Sequence, residues 1–230
     1  MVSDNILKVR ERILSVCAKI NRDPGRINTI AVSKGRAVEQ IKEAIEAGIT
    51  DIGENKVQEA LAKYNALSAK RYPLNAIKWH MVGHLQTNKA KEAVRIFDLI
   101  QSVDTLHLAK EIDKQAGRIN KVQDILIEIK TSSEETKFGL KPDAAIEVIK
   151  EIARLKNINI KGLMTIAPLV ANPEETRPYF RMLRELRDRM NYLNAKRYTL
   201  YALSMGMTDD FETAIEEGSN MVRLGRAIFG

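Results

Sequence analysis

The feature that most constrains the fold of this chain is a regular alternation of strand patterns and helix patterns from one end to the other. Short runs rich in β-branched residues are each followed by a segment with apolar residues at helical spacing. About eight such units fit into 230 residues, with short connections between them. Strands that alternate with helices form parallel sheets, and eight units of this size are typical of a closed (β/α)8 barrel of the TIM type.

The apolar runs place the strands. They are predicted at residues 27–34, 51–55, 77–83, 97–104, 123–130 and 159–166, in a strand that ends with residues 202–207, and within residues 220–230. We expect one α/β domain over residues 1–230, with no linker or repeat dividing it. The alternative is an open doubly wound sheet, but Lys34-Gly35-Arg36 offers a single glycine where that fold's first turn needs GxGxxG.

Several residues indicate where helices begin and end. An extra N-terminal helix is predicted with Ser3 as its N-cap and with an apolar stripe formed by Ile6, Val9, Ile13, Cys17 and Ile20. Later ends are marked by Gly48 and Gly218 as C-terminal glycines, Thr105 and Asn172 as N-caps, and Pro142 at a first helical position.

Charge and cysteine content narrow the class of protein. The net charge of +7 attracts anions in general, but the densest basic stretch, 177–197, mixes acids with an apolar stripe, as a solvated helix face does. No nucleic-acid recognition motif accompanies it. The N-terminal segment carries charges among its apolar residues, unlike a signal peptide, and the single Cys17 cannot form an internal disulfide. We expect a cytoplasmic protein with no nucleic-acid or membrane partner.

Lys34 ends the first predicted strand. Alternation along a strand puts Ile30, Val32 and Lys34 on one face, so an inward face would leave the lysine at the carboxyl mouth of the barrel. A poorly solvated amine there favours the reactive neutral form, which can form a Schiff base. The alternative is an ordinary lysine that ends a strand and extends into water.

Two late segments carry the residue types of an anion site. Barrels of this type often hold phosphate with the loops after strands seven and eight. Ser204 ends the seventh strand, and Gly225 after the eighth lets backbone N–H groups approach an oxyanion. Strand parity turns Arg223 inward with Gly225. The alternative is that Arg223 pairs with a structural carboxylate such as Glu54 or Glu128.

Other reactive residue types have ordinary explanations. His80 and His84 are four residues apart, but they lie in a strand-to-loop passage and not on one helix face, so no metal site is predicted. Cys17 falls on an apolar helix stripe, and Trp79 at a strand start is expected to pack in the core.

Eight sequence blocks, in this order, resemble a known family. They are AVSK (31–34), DIGENKVQE (51–59), WHMVGHLQTNK (79–89), SVD (102–104), KFGL (137–140), GLMTI (162–166), LSMGM (203–207) and VRLGRAIFG (222–230). Together they cover nearly the whole chain and are similar to the pyridoxal phosphate homeostasis protein family, whose fold is like the barrel domain of bacterial alanine racemase. Gly35 departs from the pattern, since a threonine or a similar residue is expected after the lysine.

The resemblance implies a cofactor and the residues that bind it. Lys34 would hold pyridoxal 5′-phosphate as an internal aldimine, and Arg223 would face the pyridine nitrogen. Ser204 and the backbone of Gly225 and Arg226 would hold the phosphate. Asn55 is a further expected contact beside the ring.

The expected function is binding of pyridoxal 5′-phosphate for intracellular vitamin B6 homeostasis or for delivery to PLP-dependent apo-enzymes, by a monomer without catalytic turnover. Because arginine only donates hydrogen bonds, Arg223 requires an unprotonated ring, which is a weaker electron sink. The alternative is an amino-acid racemase acting through the same aldimine. It needs a second acid/base on the opposite face of the substrate, and in the racemase fold that group comes from a second domain, which is not expected after Gly230.

Overall fold

A computed structural model describes residues 1–69, 76–132, 134, 138–194 and 199–230. Within these residues eight parallel strands close into a barrel in sequence order, which confirms the (β/α)8 prediction and excludes the open sheet. The strands are β1 (Asn28–Val32), β2 (Asp51–Glu54), β3 (Lys78–Met81), β4 (Leu99–Val103), β5 (Gln123–Glu128), β6 (Ile158–Met164), β7 (Ala202–Ser204) and β8 (Met221–Leu224). The barrel closes where β8 pairs with β1, with Ile30 opposite Arg223. Lys137 of the KFGL block and residues 195–197 of the basic stretch lie outside the described residues.

Helices surround the barrel. They are α1 (Val2–Lys19), α2 (Val38–Glu46), α3 (Val57–Ala69), α4 (Ala90–Ile96), α5 (Leu106–Gly117), α6 (Pro142–Ile152), α7 (Arg177–Asn194), α8 (Phe211–Glu216) and α9 (Arg226–Phe229). The expected N-terminal helix, α1, packs against α2, α8 and α9. Its stripe is buried as predicted from Ile6 to Cys17, but Ile20 lies beyond the helix and is exposed. No helix in the described ranges is long and apolar enough to cross a membrane.

Most of the predicted helix ends are confirmed. The Thr105 hydroxyl accepts a hydrogen bond from the Leu108 N–H at 3.1 Å, and Pro142 is the first residue of α6. Gly48 follows α2 in the left-handed region, at φ +87°, where a glycine is favoured. Asn172 caps a short 3-10 helix, Pro173–Thr176, that precedes α7.

The prediction for Ser3 is wrong. The helix α1 begins at Val2, with Met1 at the N-cap position. The Ser3 N–H donates instead to the Glu43 carboxylate of α2 at 3.2 Å. A first-turn N–H is therefore satisfied by a neighbouring helix, and no serine cap is needed at that end.

The strands are shorter than predicted at their carboxyl ends. β1 stops at Val32 because the next residues form a turn, in which the Arg36 N–H donates to the Ser33 carbonyl at 3.0 Å and Gly35 has φ +69°. Lys34 therefore lies in a turn and not at the end of a strand.

The core has two parts. A large aliphatic layer lies between the strands and the helices and includes Cys17 and Trp79, both buried as expected. Trp79 packs edge-on against Tyr64, with ring centroids 5.9 Å apart. A smaller apolar cluster on β4 to β7 contains Leu99, Leu126, Met164 and Ala202. Polar side chains from β2, β3, β4, β7 and β8 also meet inside the barrel, and they lead to the candidate site.

Candidate functional site

Lys34 stands at the mouth of the barrel, the end where the carboxyl ends of the strands meet. Its side chain is exposed, so the poorly solvated amine predicted from the sequence is not observed. The amine makes no hydrogen bond or ion pair with any residue that the structure describes. The turn thus presents a free primary amine to the mouth.

Both neighbours of Lys34 are held by a charged cluster, which we call the Lys63 cluster and which consists of Lys63, Glu54 and Glu59. The Ser33 hydroxyl donates to Glu54, and the Gly35 N–H donates to Glu59 at 2.5 Å. The Lys63 ammonium donates to the Ser33 carbonyl at 2.5 Å and to each carboxylate at 2.7 Å. The turn is therefore fixed on both sides of its lysine.

The electrostatics of the Lys63 cluster follow from its burial. Burial raises the pKa of Glu54, although hydrogen bonds from Lys63 and Ser33 oppose the shift. Partial burial also acts to raise the pKa of Glu59, but hydrogen bonds from Lys63 and the Gly35 N–H lower it below its usual value. Sequence reasoning missed this cluster. The available signal was the spacing of Glu59 and Lys63, which are i and i+4 on α3.

Arg223 enters the barrel from β8. It is buried, and burial lowers its pKa to about 10 against the opposing influence of Asp210 and Glu128. Its Nη1 donates to the Ser204 hydroxyl at 2.6 Å and its Nη2 to the Thr165 carbonyl at 2.8 Å. Its Nε–H makes no hydrogen bond to a described residue.

Neither proposed carboxylate pairs with Arg223, since no ion pair within 4.0 Å joins it to Glu54 or to Glu128. Glu54 faces α3 and its Lys63, outside the barrel. Neither Glu54 nor Glu128 therefore forms the contact pair expected in the structural alternative, and among the described residues the guanidinium donates to neutral acceptors.

Ser204 joins Arg223 to a hydrogen-bonded chain that crosses the barrel. Its hydroxyl donates to the Gln101 carbonyl oxygen at 2.6 Å, and the Gln101 nitrogen lies 3.0 Å from His80 Nδ1. The other ring nitrogen of His80 lies 2.8 Å from an Asp51 oxygen. Because β7 and β4 are not neighbours, these bonds run through the interior. Gln101 and Asp51 were not predicted as site residues, and no local sequence pattern marks them.

Gly225 and Arg226 follow β8 at the mouth. The backbone N–H groups of both residues make no hydrogen bond to the described part of the chain. A Cβ on Gly225 would lie 3.5 Å from the Val32 carbonyl oxygen and 3.9 Å from the Val32 Cβ, which are ordinary contacts. The Arg226 side chain points to an ion pair with Asp209. The backbone here is an open set of donors beside the end of β1.

Asn55 follows β2 and lines a cavity of about 260 Å³ at the same mouth. Its side-chain amide makes no hydrogen bond to a described residue. Glu128 lines the cavity too, and burial, with a further contribution from Asp104, raises its pKa to about 7. His84 covers one side, stacked on Phe138 with ring centroids 3.7 Å apart and 3.2 Å from the Asp104 carboxylate. The two histidines are thus in different environments, and the described residues form no group of three or more metal-ligating side chains.

The residues predicted from the sequence meet at one end of the barrel. They lie on or after four strands, β1, β2, β7 and β8, that are consecutive around the closed sheet. The arrangement offers a free amine, a buried guanidinium with an unused N–H, and two unused backbone N–H groups. Such donors suit a small anionic molecule that carries a carbonyl group.

Comparisons with known proteins agree with this geometry. Residues 9–230 match the family model for the alanine racemase N-terminal domain. The chain is 43% identical to the pyridoxal phosphate homeostasis protein of Aquifex aeolicus, over 99% of this chain and 96% of that protein. It is 33% identical to the protein of the same name from Escherichia coli, over 100% of this chain and 96% of that protein.

Solved structures extend the comparison. PipY from Synechococcus elongatus, solved with PLP bound, superimposes with a TM-score of 0.87 at 33% identity, and the match covers both chains completely. Alanine racemase from Clostridium difficile has a TM-score of 0.76 at 16% identity, over 99% of this chain and 56% of the enzyme. At that identity the likeness concerns the fold alone.

Proposed function

The chain belongs to the pyridoxal phosphate homeostasis protein family, and we propose that it binds pyridoxal 5′-phosphate on Lys34 and serves vitamin B6 homeostasis or delivery of that cofactor. The observation that carries the proposal is that Lys34 and the buried Arg223 lie at the same end of the barrel and that neither contacts a carboxylate of a described residue. PipY, a relative of equal length, holds PLP. The family's name states the same cellular role for the curated relatives.

The Lys34 turn supplies the covalent attachment. A primary amine adds to the aldehyde carbon of pyridoxal phosphate, a C=N bond forms and one water leaves. The amine must be unpaired and mobile for this step, and the backbone that carries it must stay in place. The exposed side chain and the two fixed neighbours of Lys34 meet these requirements.

Arg223 is proposed to face the pyridine nitrogen through its Nε–H, the guanidinium donor that no described residue uses. Arginine cannot accept a proton from the ring, so this contact keeps the ring nitrogen unprotonated. An unprotonated ring withdraws electrons weakly, which disfavours carbanion chemistry and suits a carrier.

The phosphate is proposed to lie against the backbone N–H groups of Gly225 and Arg226, which are unused in the described chain. Without a side chain at Gly225, an oxyanion can approach these donors closely. Ser204 belongs to the same site. A direct bond from its hydroxyl to the phosphate requires that hydroxyl to leave Gln101, so we expect the backbone donors to dominate. Asn55 is proposed to contact the ring from the side of β2.

We also propose that the protein is not an enzyme. The curated relatives are named for homeostasis, and Arg223 disfavours the carbanion that racemisation needs. The same proposal includes a cytoplasmic monomer of one domain that exchanges the cofactor with PLP-dependent apo-enzymes and binds no nucleic acid. Incubation of the loaded protein with L-alanine, followed by chiral chromatography, tests the racemase alternative. Formation of D-alanine at about 1 s⁻¹ or faster, without cofactor transfer, contradicts the carrier proposal.

Borohydride reduction followed by peptide mass spectrometry tests the attachment. One phosphopyridoxyl group is expected on the peptide that contains Lys34, and Lys34→Ala should remain colourless. Lys56→Ala is the matched control, since Lys56 is another exposed lysine at the mouth, after β2. Retention of a reducible imine in Lys34→Ala, or its loss in Lys56→Ala, contradicts the assignment.

A further inference from the structure

The hydrogen-bonded chain inside the barrel has a direction, and that direction follows from its two ends. At the mouth the chain begins with Arg223, which can only donate. At the amino-terminal end it finishes at Asp51, whose carboxylate already accepts from the Asn28 amide at 2.9 Å and from the Thr50 hydroxyl at 2.6 Å, and these bonds lower its pKa against the effect of burial. An ionised carboxylate can only accept. Every bond between these ends is therefore constrained.

The intermediate groups can be assigned one after another. Arg223 donates to the Ser204 oxygen, and the Ser204 hydroxyl donates its own proton to the Gln101 carbonyl oxygen. The Gln101 NH₂ group then donates to His80 Nδ1. His80 Nδ1 is an acceptor, so the ring is neutral, and its Nε2–H donates to Asp51.

The reverse orientation of the Gln101 amide gives a different pattern of hydrogen bonds. Its NH₂ group would face the Ser204 oxygen, and its carbonyl oxygen would accept from His80 Nδ1–H. His80 would then carry protons on both nitrogens, and the Ser204 hydroxyl proton would lose its acceptor. An unsatisfied hydroxyl in a fully buried position costs about 1–3 kcal/mol. The directed chain satisfies all of these groups.

We propose that Gln101 and His80 are positioning residues for Arg223. They keep the Ser204 oxygen as an acceptor for the Arg223 guanidinium, and the Arg223 Nε–H then stays free toward the barrel mouth. This inference rests on the proposed function only in naming what the free N–H contacts, which is the ring nitrogen of pyridoxal phosphate. Ser204 then affects cofactor binding through Arg223, because its hydroxyl proton is already donated to Gln101.

The first experiment needs no cofactor. Imidazole ¹⁵N chemical shifts are measured in the full-length protein, and His80 is assigned with the variants His84→Asn and His107→Asn, since the chain has three histidines. We expect His80 to carry a proton on Nε2 and none on Nδ1. A doubly protonated ring, or a proton on Nδ1, contradicts the proposed direction of the hydrogen bonds whether or not pyridoxal phosphate binds.

The second experiment interrupts the series of hydrogen bonds at Gln101. Gln101→Met keeps the volume but removes both bonds, and Gln101→Glu accepts from both neighbours, which forces a proton onto His80 Nδ1. Gln101→Met should raise the dissociation constant for pyridoxal phosphate about tenfold and shift the absorption maximum of the bound cofactor. Gln101→Glu still accepts from Ser204 and leaves the Ser204 oxygen available to Arg223, so it should change the affinity much less than Gln101→Met while it alters the His80 ¹⁵N shifts. Lys34 should still be labelled completely by reduction at saturating cofactor.

Gln115→Met is the matched control, because Gln115 is also buried but bonds to Glu111 on α5, outside the barrel. It should lose stability without changing cofactor affinity or absorption. Equal affinity loss in Gln101→Met and Gln115→Met would show a merely structural effect and overturn the proposal. Failure of the wild-type protein to bind pyridoxal phosphate would instead overturn the proposed function. The ¹⁵N result would still decide the direction of the hydrogen bonds between Arg223 and Asp51.

Discussion

The barrel mouth has two sides, and each contains one buried cation in a different electrostatic environment. On the side of β1, β2 and α3, Lys63 is 6% exposed and contacts two carboxylates, each at 2.7 Å. On the side of β7 and β8, Arg223 is 4% exposed and contacts a hydroxyl and a carbonyl. Only the first cation has counter-ions in contact.

This difference separates a structural charge from a charge held for a ligand. A buried cation is costly unless it is paired and hydrogen-bonded. Lys63 meets both conditions, and its bonds all serve the turn that carries Lys34. Arg223 contacts no carboxylate of a described residue and leaves its Nε–H unused there, which suits a contact with a molecule from outside the chain.

The glycines on the two sides differ in the same way. A Cβ on Gly83, after β3, would lie 2.5 Å from the Asn55 carbonyl oxygen, closer than atoms can pack. A Cβ on Gly225 would meet one backbone oxygen at 3.5 Å, an ordinary contact. The β2–β3 side is therefore filled by its own backbone, whereas the β8 side is open.

The largest expected effect is on Lys63. Lys63→Met leaves Glu54 buried without its cation, and breaking a buried pair in this way costs about 3–5 kcal/mol of unfolding free energy. Chemical denaturation measures it. Lys150→Met is the control, because the Lys150–Glu147 pair is exposed, and it should change stability by less than about 1 kcal/mol. Equal small losses would show that Lys63 is no more structural than a surface lysine.

The glycine pair gives the next effect. Gly83→Ala should destabilise the fold by about 1–3 kcal/mol through overpacking against the Asn55 backbone. Gly225→Ala should fold normally, and the bulkier Gly225→Val should weaken the binding of pyridoxal phosphate because its side chain occupies the proposed phosphate position. Thermal unfolding and a cofactor titration separate the two results. If Gly225→Val binds the cofactor as tightly as the wild type, the phosphate lies elsewhere.

Arg223 should show the opposite balance to Lys63. Arg223→Met removes an uncompensated charge, which favours folding, but leaves Ser204 and the Thr165 carbonyl without a donor, so the net change in stability should stay within about 2 kcal/mol. Cofactor affinity should fall by about tenfold or more. A loss of stability as large as that of Lys63→Met would remove the distinction between the two cations.

The fold could be predicted from the sequence because apolar periodicity and turn residues are local signals. Thr105 and Pro142 marked helix starts correctly, and the eight units fixed the barrel. The first strand ends at Val32 and not at Lys34 as predicted, because its end depends on a turn that the composition of residues 27–34 does not show.

The site was only partly accessible to sequence reasoning. The inward direction of Arg223 followed from strand parity. The partners did not, because the bond between Ser204 and Gln101 joins residues 103 positions apart across the barrel. Likewise, Lys63 reaches Ser33 from a helix that the sequence places only on the outside of the sheet. Contacts of this kind depend on tertiary geometry and leave no local pattern.

The last expected effect depends on pH and concerns Glu128, a mouth carboxylate that makes no contact with Arg223. Its folded pKa is raised to about 7 by burial, above the usual value of 4.5. Between those pH values the folded state binds more protons than the unfolded state, so stability falls as pH rises from about 4.5 to 7 and levels off above it. A neutral glutamine side chain at the same position has no such dependence on pH. Relative to the wild type, Glu128→Gln should therefore gain roughly 2–3 kcal/mol of stability between pH 5 and pH 8, because only the wild-type stability falls over that range. Denaturant titrations at the two pH values measure the difference, with Glu147→Gln as an exposed control that should show none. If Glu128→Gln is instead destabilised at pH 8, an ionised Glu128 stabilises Arg223 from a distance, and the cation on the open side has a counter-ion after all.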